Sequence, residues 1–179
     1  MTIAAVLLGG WTTHIANHRM ERQRNAHTML TRWDDRKLDA YADYVDQVRS
    51  CIYASVLLYE VRQGMREIER SEQELTLALA DAEGSRGRAF ERVMLLAEDG
   101  VVEAAHALNG AAHAIDWRAR GVTEGSLDEW RELHRAAFKA INQFHEAARD
   151  DLGVSGSFHG DAQGARDLVL PRARPESED

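Results

Sequence analysis

Between Arg19 and Val61 no glycine or proline interrupts the chain, and Tyr41, Val45, Val48, Ile52, Ser55 and Tyr59 recur at alternating steps of four and three. That spacing places all six on one face of a long first helix. Asp39, Asp43, Asp46, Arg49 and Gln63 lie on the facing side, where charge can meet water. Ser71-Glu72-Gln73-Glu74 has the Ser-x-x-Glu form of a capping box and predicts the start of a second helix. A break at Gly84-Ser85-Arg86-Gly87 is the alternative, but it would leave a second helix too short to cover its partners. With Ser71 as the start, Leu75, Leu79, Ala82, Phe90, Val93 and Ala97 form the buried stripe. The Gly84–Gly87 stretch then reads as an exposed kink and the weakest part of that helix.

Asp99-Gly100 reads as a stop, and Val101, Ala105, Leu108, Ala112, Ile115 and Ala119 mark a third helix ended by Gly121. Ser126-Leu127-Asp128-Glu129 is a second capping box, followed by Trp130, Leu133, Ala137, Ile141, Phe144 and Ala148. Four amphipathic helices with short connections alternate in direction. The expected fold is all-α: an up-down-up-down four-helix bundle with an extended N-terminal helix. The bundle occupies 38–152, and 153–179, with too little apolar surface to offset its ordering entropy, is expected to be a disordered tail.

Composition sharpens this picture. The only prolines, Pro171 and Pro175, lie near the end, and 27 of the 179 residues are alanine, which disfavours strands. A length of 179 suits one domain with short appendages. With 22 Lys+Arg against 30 Asp+Glu the net charge is -8, so the body repels phosphate and no nucleic-acid partner is expected. A single cysteine, Cys51, makes no internal disulfide, and with no base or activating motif it reads as a buried or half-buried inert thiol.

Residues 1–18 carry no formally charged side chain, and Ile3, Val6, Leu7, Leu8 and Trp11 give the segment the character of a membrane anchor. As a helix, these 18 residues would span about 27 Å, just short of a hydrocarbon core of about 30 Å. The shortness predicts a start codon further upstream. Basic residues follow the apolar run instead of preceding it, which argues against an export signal and places the body on the cytoplasmic side. Residues 19–37 carry six Lys/Arg against three acids and form a basic juxtamembrane stalk that suits anionic lipid. The alternative is a cytoplasmic protein whose first helix starts apolar and packs on the bundle.

Two arrangements touch metal chemistry. Glu103 and His106 have the Glu-x-x-His spacing of carboxylate-bridged metal bundles, but the fourth helix offers only Glu132-Leu133-His134, whose members diverge. An antiparallel hairpin of the third and fourth helices sets His113 near the height of His134, with Asp116 as a possible third ligand. Structural histidines flanking a core explain both patterns more simply, so no metal, cofactor or small-molecule ligand is expected. Phosphate-cradling loops, nucleophile elbows and paired Cys-x-x-Cys motifs are absent from the sequence.

The runs 32–44 (RWDDRKLDAYADY), 87–96 (GRAFERVMLL) and 136–145 (AAFKAINQFH) resemble those of uncharacterised helical proteins of high-GC actinobacteria, over about Arg19 to Val154. The resemblance implies a single membrane helix running into a basic stalk, from which this chain departs by its short apolar start. That group has no established activity, so no catalytic residue is carried over. The combined expectation is a non-enzymatic, membrane-proximal interaction or scaffold protein. It would contact membrane lipid through its first segment, and a second copy or a protein partner through Met29, Leu30 and Trp33. The alternative is a metal-binding or enzymatic bundle using Glu103, His106, His113 and His134.

Overall fold

A computed structural model describes residues 33–156. These fall into two units, 33–38 and 39–156, each considered by itself. The segment expected to be an anchor (1–18), most of the stalk with Met29 and Leu30, and the tail from 157 lie outside the described residues.

Residues 33–62 are helical (α1), followed by α2 (Glu72–Leu96), α3 (Asp99–Ala119) and α4 (Leu127–Asp151). Both capping boxes form as the sequence predicts. Ser71 Oγ accepts from the Glu74 amide while Glu74 Oε2 accepts from the Ser71 amide at 2.7 Å, and Ser126 and Glu129 repeat the exchange at 2.6 Å. These amide donors hold the Glu74 and Glu129 carboxyls below their ordinary range.

Two details differ from the sequence reading. Asp99-Gly100 opens α3 instead of stopping α2, and only Ala97 and Glu98 separate the two helices. The helix also runs unbroken through Gly84 and Gly87, and Arg86 between them is buried, so the stretch is not an exposed kink. Glycine costs helix propensity, but packing of the stripes on either side of it carries the helix through.

The core of 39–156 is built in two apolar layers. One joins the first half of α1 (Tyr41, Tyr44, Val45, Val48), the end of α2 (Ala89, Val93), the start of α3 and the end of α4. The other joins the end of α1 (Cys51, Leu58, Tyr59), the start of α2 (Leu75, Leu79), the end of α3 and the start of α4. Each layer draws alternate ends from successive helices, as an up-down-up-down bundle requires.

Large rings fill the layers. Tyr44 meets Phe144 edge-on at 5.2 Å and donates its hydroxyl to the Ala105 carbonyl at 3.0 Å, and Tyr59 stacks on Trp130 at 3.9 Å. Alanines at 105, 112 and 119 let α3 lie close to α4, on which it packs far more extensively than on α2. At the far end, Gly121 turns the chain at φ +72°, and a Cβ there would also come within 2.9 Å of the Arg62 guanidinium. Arg62 donates to the Ala119 carbonyl at 3.1 Å and pairs with Glu72 at 3.1 Å, tying α1 to α3 and α2.

Candidate functional site

The largest departure from a purely apolar interior is a charged cluster between α2 and α3. Its hub is Glu83, one helical turn before Gly87 on α2. One carboxylate oxygen lies 2.9 Å from Arg120 Nη2, and the other lies 3.5 Å from His113 Nε2 and 3.9 Å from Arg86 Nη2. Arg120 closes the chain of charges by donating Nε to Asp116 Oδ1 at 2.7 Å, an i,i+4 pair on α3.

The cluster is graded in depth. Glu83 and His113 each keep about a third of their side-chain surface, Arg120 keeps 26%, and Asp116 and Arg86 keep 3% and 2%. Burial opposes the Arg120 charge, but the hydrogen bond and charge of Asp116, aided by Glu83, outweigh it and hold the guanidinium above its ordinary pKa.

Arg86 is the anomaly. Its Nε and Nη1 are buried with no hydrogen-bond partner among the described residues, although such groups are normally satisfied. The guanidinium lies beside the Cys51 thiol, which is 1% exposed. Desolvation pushes that thiol up, only partly offset by Arg86, so in the closed bundle it is a neutral and unreactive group, as its sequence context suggests.

The histidines singled out in the sequence have separate surroundings. Glu103 and His106 are exposed on α3, with His106 edge-on to Phe90 at 5.1 Å. His113 faces Glu83 of α2 and stacks on Trp117. His134 is buried, with Nδ1 2.9 Å from the Trp130 carbonyl of its own preceding turn and its ring edge-on to Trp130 at 4.4 Å. Desolvation lowers the His134 pKa against that hydrogen bond, favouring the neutral ring as donor to the carbonyl. His113 and His134, expected at similar heights, therefore turn to different partners. Among the described residues no three His, Cys, Asp or Glu side chains gather closely enough to hold a metal ion.

The Glu83, Arg86 and Arg120 cluster escaped the sequence reading, although i,i+3 and i,i+4 spacing of Glu83–Arg86 and Asp116–Arg120 was a legible local signal. Among the described residues no helix is long and apolar enough to cross a membrane. In the 33–38 unit Trp33 stays 47% exposed with the Arg36 guanidinium 5.7 Å from its ring centroid, and Leu38 is 55% exposed. Comparison with family models, curated proteins and solved structures finds no match to this chain.

Proposed function

We propose that the chain is a non-enzymatic helical interaction protein that works next to a membrane. Its bundle serves as a rigid body and its N-terminal helical stretch as the contact element. The observation that carries this reading is Trp33, half exposed under the Arg36 cation. A Trp ring with an adjacent guanidinium suits the boundary between headgroups and acyl chains, where an apolar body and a charged partner are both accommodated. The basic excess over 19–37 and the uncharged segment before it extend the same polarity toward a lipid surface.

The interior supports the non-enzymatic part. Its two layers are filled by ring stacking and aliphatic packing, and its buried charges are engaged mainly with one another. Fractionation of cells expressing the full chain tests the reading. The protein is expected in the membrane fraction, with Trp33→Ser and Arg36→Ser together reducing its retention at moderate salt. Full recovery of the unsubstituted protein in the soluble lysate would overturn the proposal, as would a stoichiometric metal in the purified protein.

A further inference from the structure

We propose that Cys51 is a masked thiol, reached by low-molecular-weight disulfides when the middle of α2 opens while the rest of the bundle stays folded. Three features of residues 84–87 converge on that opening. Gly84 and Gly87 stand three residues apart inside a helix, each more costly there than alanine. Ser85 returns its hydroxyl to the Asp81 carbonyl at 3.0 Å, a back-bond that competes with the helical ladder. Arg86 is held inside with Nε and Nη1 unpaired, so its release into water regains hydration that the closed state lacks.

What opening uncovers is specific. Cys51 belongs to the apolar layer that α2 covers with Leu75 and Leu79, and Arg86 lies beside its sulfur. Once water enters and Arg86 swings out, the desolvation that held the thiol neutral is lifted, and the thiolate becomes the nucleophile. It attacks one sulfur of the disulfide. A new S–S bond to Cys51 forms as the old one breaks, the second sulfur departs as a thiolate, and the Cys51 proton goes to solvent. The added group no longer fits the packed layer, so modification holds α2 open.

The single cysteine makes the test clean. The full chain is incubated with Ellman's reagent without denaturant, and labelling is followed by released thionitrobenzoate, with Cys51→Ser as the blank. A Cβ at Gly87 meets nothing within 4 Å and one at Gly84 meets only Arg88 Nη1 at 3.6 Å, so alanine is accommodated at both. Each substitution is expected to slow labelling about fivefold, and the pair about thirtyfold, by stabilising the closed helix.

Gly110→Ala is the control, because Gly110 lies in α3 with equally open space around it. It should raise global stability yet leave the labelling rate unchanged. Equal slowing by Gly110→Ala would mean that exposure requires global unfolding and would overturn the proposal. So would an unaltered rate in the Gly84→Ala/Gly87→Ala protein, or no labelling at all under native conditions.

Discussion

Replacing Arg120 by Met strands a buried carboxylate while keeping the stem that packs along α3. Asp116 Oδ1 loses its 2.7 Å donor and Glu83 loses its 2.9 Å partner. Removing one member of a buried pair costs about 3–5 kcal/mol, and because Arg120 retains 26% exposure the lower end, about 3 kcal/mol, applies. With an m-value of about 2 kcal/mol/M in urea, the unfolding midpoint followed by circular dichroism should fall by about 1.5 M. Asp116→Asn alone leaves Arg120 paired with Glu83 and should cost about 1 kcal/mol.

The double variant carries no stranded charge at 116 and should recover about half of the loss seen with Arg120→Met. The cycle therefore has a coupling energy of about 2.5 kcal/mol. A loss below about 1 kcal/mol in Arg120→Met, or a double variant no more stable than it, would refute the assignment of this pair as a buried charge dependent on its partner.

Other consequences follow from the packing and from titration. Trp130→Ala removes a side chain that is 1% exposed and stacked on Tyr59, and should cost about 3–5 kcal/mol in the same urea assay. His134 has a folded pKa below its unfolded value of about 6.5, so below that pH the unfolded chain binds more protons than the folded one. Stability is therefore fully present above pH of about 6.5 and declines as pH falls toward the folded value, by at most about 1.4 kcal/mol per pH unit from this group. His134→Asn should flatten that limb of the stability–pH curve, leaving the share of His145, whose pKa burial and then the charge of Arg49 also lower.

The helical frame was legible because its signals are local. Ser71 and Ser126 each bond to a carboxylate-bearing residue three positions on, and the six-residue stripe of α3 is buried throughout. The charged cluster was harder to read because its meaning lies in azimuth between helices, which spacing along one helix does not encode. Gly84-Ser85-Arg86-Gly87 looks like surface by polarity, and only the path of α2 past α1 and α3 shows that Arg86 turns inward. His113 and His134 teach the same lesson from the other side. Hairpin counting estimates their height, whereas the direction of each ring is set by Glu83 and by the Trp130 carbonyl.

The position of Glu83 between two greasy layers also acts as an index pin for α2. Hydrocarbon layers alone tolerate sliding, because one aliphatic group substitutes for the next at small cost. A shift of α2 by one turn, about 5.4 Å, would bring Leu79 or Gly87 into the place of the carboxylate and leave Arg120 with Asp116 alone. A helix that leaves and returns is thereby guided back to a single alignment.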